Sequence, residues 1–140
     1  MKFIIFLLLS FSLLSCSKEN RLENSLLGNW TLSRMQVTDG QLQQTIINDP
    51  VGEIYFNFQN AYVSGSCLFI LTVDGAIYQF EMDFSSPNLS LDANGQTLLF
   101  GQGEYQNTYK IILVTKRDLV LEYYDALNFQ LRKFIFIKQE

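Results

Sequence analysis

The sequence predicts an all-β fold: an antiparallel up-and-down meander of about eight or nine strands that closes into a small barrel. Three observations predict it. From Trp30 onward apolar and polar residues alternate with period 2, the signature of half-buried strands. Tight turn signals, Asp74-Gly75 the clearest, separate the alternating runs. No window from 30 to 140 carries a helical apolar stripe, and the stretch 39–50 has room for a short helical turn at most.

The chain opens on a targeting segment. Lys2 is the only charge before an apolar run from Phe3 to Leu14, broken by Ser10 and Ser12. That run is too short for the roughly 20 residues of a spanning helix and matches the h-region of a signal peptide. It ends at Leu13-Leu14-Ser15-Cys16, which resembles the lipobox of bacterial lipoproteins: Leu at −3, a small residue at −1, cysteine at +1. The resemblance implies cleavage before Cys16, a lipid on its thiol and amine, and stable membrane anchoring by several chains on one residue. Ser17 stands where Asp would imply inner-membrane retention, so the resemblance points to the outer membrane of a bacterial cell envelope. Lys18-Glu19-Asn20 carries one acid of the kind found in surface-export signals. The expected organisation is a signal peptide at 1–15, a polar tether at 16–26 and one barrel domain at 27–140.

The strands follow in order. Leu27-Gly28-Asn29-Trp30-Thr31-Leu32 opens the first. In the next runs Ile54, Phe56 and Phe58 share a face, as do Tyr78, Phe80, Met82 and Phe84. Tyr109, Ile111 and Leu113 form another row, then Leu119, Leu121 and Tyr123, and the run from Asn128 to Ile137 is apolar on both faces near its end. The turns are Asp74-Gly75, a Ser85-Ser86-Pro87-Asn88 loop, Ala93-Asn94-Gly95-Gln96, Thr115-Lys116-Arg117-Asp118 and Asp125-Ala126-Leu127-Asn128. Gly101-Gln102-Gly103-Glu104 reads as a strand-end bulge or loop. Successive hairpins favour neighbour-to-neighbour pairing, and a twisted meander of this length closes because closure removes exposed edges.

The G-x-W of Gly28-Asn29-Trp30 resembles the start of the lipocalins. With the lipobox and the short tether, the stretch 26–137 is similar to the lipocalin-like lipoproteins of Bacteroidetes-type bacteria. The resemblance implies a lipocalin-like barrel in which the tryptophan packs across the closed end against an arginine of the last strand. It places Gly28, Trp30 and Arg132, with Lys133 as its neighbour, in that barrel-closing role, by a cation–π contact. It also implies a small hydrophobic or amphipathic ligand, for which the inward rings Phe56, Phe58, Tyr78 and Phe80 are the candidate wall. The same rings can instead fill the interior, since a barrel of eight strands holds either a packed core or one small ligand. Two functions from different classes therefore stand: a binding protein for an apolar molecule, or a filled barrel that presents its surface to a protein or glycan partner.

Composition removes other classes. Without Lys2, residues 16–140 carry 9 basic and 14 acidic side chains, a net of −5, which disfavours nucleic-acid binding. The chain has no histidine, which excludes Ser-His-Asp and Cys-His catalysis and histidine metal or haem sites. With Cys16 acylated, Cys67 has no partner for an intrachain disulfide. Its apolar run, Cys67-Leu68-Phe69-Ile70-Leu71, makes it a small core residue rather than a nucleophile. Glu81, Asp83, Glu122 and Asp125 are the carboxylates available for a glycosidase-type pair, but alternation turns the first three outward. No cofactor or metal is expected, and the function reads as non-catalytic.

Overall fold

The structure, a computed structural model, describes residues 21–92, 94–101 and 107–140. It contains β1 (Gly28–Thr38), β2 (Gln44–Ile47), β3 (Val51–Asn57), β4 (Tyr62–Val73), β5 (Ala76–Asp83), β6 (Ser86–Pro87), β7 (Ser90–Leu91), β8 (Thr97–Phe100), β9 (Asn107–Val114), β10 (Asp118–Asp125) and β11 (Gln130–Lys138). Nine of the eleven strands have four or more residues, in line with the eight or nine expected, while β6 and β7 are two-residue bridges.

All pairings among these strands are antiparallel, in the order β5-β4-β3-β1-β11-β10-β9-β8-β7, with β2 beside β1 and β6 beside β4. The first strand pairs the last, from Trp30 opposite Lys138 to Thr38 opposite Leu131. The other edge of β1 is shared between β3 and β2. The ladder does not run on from β5 to β7. At one end of that seam β6 acts as a stitch. It pairs Tyr62 and Val63 of β4, and the Pro87 carbonyl accepts a hydrogen bond of 2.9 Å from the Gly101 N–H. The fold is of the predicted class, an all-β antiparallel meander whose first strand pairs its last, with the ladder open between β5 and β7.

Alternation explains the core. Ile54 and Phe56 of β3, Cys67, Phe69 and Leu71 of β4, Leu119 and Leu121 of β10, and Phe134 and Phe136 of β11 point inward and are buried. They belong to one cluster of twenty buried apolar residues, which occupies the interior from Trp30 upward. Phe84 is at its centre, edge-on to Phe134 at 5.6 Å and to Tyr109 at 6.1 Å between ring centroids. Edge-to-face aromatic contacts of this kind add to the area burial that dominates the stability of such a core.

Two bulges shift the phase of the alternation. In β1 the register slips between Leu32 and Arg34, so Met35 follows Leu32 inward after three residues rather than two. In β9 the register slips opposite Val120 and Leu121, leaving Ile112 as the extra residue. This corrects the expected Tyr109, Ile111, Leu113 row. Tyr109 and Ile111 face the core, Leu113 turns out to solvent, and Val114 takes the inward place.

Three further expectations change. The stretch 39–50 forms β2, not a helical turn. The Asp39 carboxylate accepts from the backbone N–H groups of Gln41 and Gln43, both at 2.9 Å, which closes a turn and returns the chain beside β1. The Ser85-Ser86-Pro87-Asn88 loop contains β6. The tether does not extend to residue 26: residues 21–26 form a short helix whose Leu26 is wholly buried and whose Leu22 packs on the core. The Asp74-Gly75 hairpin is as expected, with φ of 51° and 80° at the two residues, the left-handed pair of a type I′ turn. Ala93 and residues 102–104, part of the turn and of the Gly-rich stretch singled out above, lie outside the described residues, as do residues 1–20.

Gly65 is a backbone requirement of this sheet. It faces Ile54 across the β3–β4 ladder at φ +132°, and a Cβ there would overlap the Glu53 carbonyl oxygen. Gly65→Ala should therefore lower stability by at least about 2 kcal/mol. Urea denaturation followed by Trp30 fluorescence measures the loss as a lower midpoint.

Candidate functional site

The barrel has two chemically different ends. At the closed end Trp30 is fully buried, and its indole Nε1–H donates to the Leu26 carbonyl at 2.9 Å. The cation over its ring is Lys138, whose Nζ lies 5.0 Å from the ring centroid and donates to the Ser25 carbonyl at 3.3 Å. Gly28, at φ +108°, leaves room for the lysine stem: a Cβ there would come within 3.1 Å of Lys138 Cε. Arg132 does not occupy this place, which corrects the expectation. Register decides the matter, since Trp30 pairs Lys138 whereas Arg132 pairs Val37. Six residues along an antiparallel strand separate Arg132 from Lys138, about 20 Å. Lys133, its neighbour, points to the opposite face.

Arg132 instead lies inside the open half of the barrel. Its guanidinium carbon lies 5.4 and 5.3 Å from the centroids of Phe69 and Phe80, beside the pair they form by stacking nearly parallel on each other at 5.1 Å. Its Nη2 forms a 2.7 Å ion pair with Asp125 Oδ2, Nε and Nη2 donate to Gln130 Oε1, and Nη1 donates to Met82 Sδ at 3.0 Å. The side chain is 4 % exposed, so the charge is almost wholly removed from water. Such a charge is tolerated only when paired and hydrogen-bonded, as it is here.

The β10–β11 hairpin supplies the counter-charge. Asp125 accepts from the Leu127 and Asn128 backbone N–H groups and from the Asn128 side-chain amide. Burial raises its pKa, but the Asn128 amide, the Arg132 guanidinium and the backbone N–H donors outweigh burial and hold it below the ordinary carboxylate value. Of the other three carboxylates, Glu81 and Asp83 are on the exposed face and Glu122 is partly exposed on the outer wall, so no facing carboxylate pair forms among these four. No group of three or more metal-binding side chains occurs among the described residues.

The four rings expected to line a ligand do not converge on one wall. Phe56 is fully buried at the closed half, with Phe58 stacked beside it at 6.4 Å. Tyr78 and Phe80 belong to the open half, opposite Leu71 and Phe69. Phe56 pairs Val63 and Phe80 pairs Phe69 on the same strand β4, six residues apart or about 20 Å. Phe56 is core, Phe80 is a wall of the Arg132 slot, and Tyr78 is half-exposed at the mouth. Between these halves Phe100, Tyr109 and Tyr123 form a continuous stack, with centroid spacings of 4.6 and 4.9 Å.

Lys138, Asp125, Gln130 and Met82 were not legible as partners. A signal for one of them existed: period 2 along β11 puts Arg132 on the same face as Phe134 and Phe136, and an inward cation requires an acid. Cys67 is buried and outside any disulfide, in keeping with a core residue. Burial pushes its thiol up to about 11, against an opposing effect of Arg132. The expected lipidation residue, Cys16, lies outside the described residues.

The outer surface carries exposed apolar side chains in two groups. On the wall Val51, Leu68, Ile70 and Ile77 adjoin through the β3–β4–β5 pairings. At the open rim Leu42, Leu127 and Phe129 project from neighbouring loops at 85, 92 and 66 % exposure.

No protein-family model and no curated protein matches the chain. Among solved structures the chain is similar to a lipocalin-like protein from Bacteroides uniformis, at 21 % identity and a TM-score of 0.45, covering 82 % of this chain and 99 % of that one. It is similar to bovine odorant binding protein in its complex with undecanal, at 19 % identity and a TM-score of 0.41, covering 82 % and 72 %. A third similarity is to aphrodisin, a sex pheromone from female hamster, at 10 % identity and a TM-score of 0.38, covering 82 % and 75 %.

The two charges at the open end are unequal in what they lose. Asp125→Leu strips Arg132 of its counter-ion and should cost about 3–5 kcal/mol. Arg132→Met leaves Asp125 with its three hairpin donors and should cost about 1–3 kcal/mol. The double variant should recover most of the first loss, read from a double-mutant cycle in urea. The lowered Asp125 pKa gives stability that is present above the unfolded value near about 3.9 and is lost as pH falls through the lower folded value. Asp125→Asn should flatten the acid limb of the stability–pH curve in that window. With Cys16 replaced by alanine, Ellman's reagent at pH 8 should find no fast-reacting thiol in the folded protein and one, Cys67, after unfolding in guanidinium.

Proposed function

We propose that this protein is a lipid-anchored lipoprotein of the bacterial envelope whose barrel is a filled, non-catalytic interaction module. The filled interior carries the reading. Twenty buried apolar side chains occupy the barrel, and the Arg132–Asp125 pair with Phe69 and Phe80 blocks the space beneath the mouth. A barrel packed in this way is left with its outside for binding, and the adjoining apolar side chains Val51, Leu68, Ile70 and Ile77 on the β3–β4–β5 wall offer it a surface. The lipobox-like Leu13-Leu14-Ser15-Cys16 supports the anchor, and Ser17 supports the outer membrane.

A second reading is favoured by one feature. Tyr78 is half-exposed and Phe80 partly so at the mouth, where a small apolar or amphipathic molecule has aromatic surface to rest on. Bovine odorant binding protein, similar in fold, is described in complex with undecanal. Such a molecule would sit on the Arg132 slot rather than within the barrel.

Native mass spectrometry of the protein extracted from cells separates the two readings. The filled-module reading expects the acylated chain with no further adduct, and a stoichiometric lipid-sized adduct beyond the anchor would overturn it in favour of the second. Cys16→Ala should move the protein from the membrane to the soluble fraction, and retention in the membrane would show the anchor assignment to be wrong.

A further inference from the structure

We propose that the closed end of the barrel is its membrane-facing end, and that the anchor holds this end against the bilayer with the open end pointing away. The proposal rests on the lipidated Cys16 of the preceding reading and on three observations about the folded domain.

The first is where the chain leaves the barrel. Residues 21–26 lie over the closed end, with Leu26 buried, its carbonyl held by Trp30 Nε1–H, and the Ser25 carbonyl held by Lys138 Nζ. Leu22 rests against Gly95 in the β7–β8 turn, which belongs to the same end. These contacts fasten the start of the domain, so the chain departs from the closed end at Arg21.

The second is length. Five residue steps separate Arg21 from Cys16, a reach of about 17 Å at full extension. The eleven residues of β1 and twelve of β4 run about 35 Å or more along the wall. The leash is shorter than the barrel, so the rim bearing Leu127 and Phe129 cannot reach the bilayer while residues 21–26 stay packed.

The third is charge, and it decides between an end-on and a side-on pose. Among the described residues, Arg21, Lys116, Arg117 and Lys138 at the closed end are matched by four acids, whereas the wall and open end hold four cations and eight acids. An anionic bilayer surface repels the wall and tolerates the closed end. Leu27, 40 % exposed beside the start of β1, gives that end an apolar contact for the headgroup region.

The test uses the acylated full-length protein in vesicles of phosphatidylethanolamine and phosphatidylglycerol containing brominated lipid. A thiol-reactive fluorophore is placed by Asn94→Cys at the closed end or Leu127→Cys at the open end. Acylated Cys16 and buried Cys67 do not compete for the label. Quenching at the closed-end position should exceed that at the open end several-fold, and Lys116→Cys should behave like Asn94→Cys. A flexible Gly-Ser insertion as long as the barrel, placed between Ser17 and Lys18, should shrink the difference. Equal or reversed quenching in vesicle-bound parent protein overturns the orientation alone. Failure to float with vesicles overturns the anchor reading, and the orientation with it.

Discussion

The ladder between β1 and β11 joins segments roughly a hundred residues apart, and it fixes what every other strand can touch. Because loop-closure entropy grows only with the logarithm of loop length, such a pairing is affordable once the interior it encloses is apolar. That interior is supplied from both partners, Trp30, Leu32, Met35 and Val37 on one side and Phe134 and Phe136 on the other. The opposite edge of β1 is divided between β3 and β2, so this one strand connects both halves of the barrel. Its register puts Lys138 over Trp30, and it sends Arg132 to the far end.

The placement of Arg132 governs the functional reading. A guanidinium inside an aromatic barrel must find acceptors and π faces, and Asp125, Gln130, Phe69 and Phe80 provide them. Once assembled, this group of side chains is buried beneath the open rim. The volume below is taken by the Phe100–Tyr109–Tyr123 stack and the Phe84 cluster. Exposed apolar side chains gather instead on the β3–β4–β5 wall and at the open rim.

The ends also differ in how they connect to the rest of the molecule. At the closed end the chain before β1 is part of the fold, since Leu26 completes the packing around Trp30 and Ser25 receives Lys138. Polar and charged composition at 17–26 gives no hint of this. A six-residue helix has no periodicity to read, and its two leucines acquire meaning only where they dock. The open end is built from hairpins whose carboxylates, Asp39 and Asp125, cap their own turns.

Sequence alone determined the class of fold, the antiparallel connectivity, the inward rows of β3, β5 and β10, and the Asp74-Gly75 hairpin. These follow from properties a strand expresses locally: side chains alternate across it, and a type I′ turn needs residues that accept positive φ. It also pointed to Cys67 as a core residue. Tertiary structure alone decided which cation covers Trp30, where Arg132 lies and that Phe56 and Phe80 are far apart. It also decided that bulges in β1 and β9 reverse the phase of Met35 and Leu113. Each of these depends on register, the sliding position of one strand against another distant in the chain. Register is set by the packing of whole faces and by bulges that absorb misfit, and neither is written in any single segment.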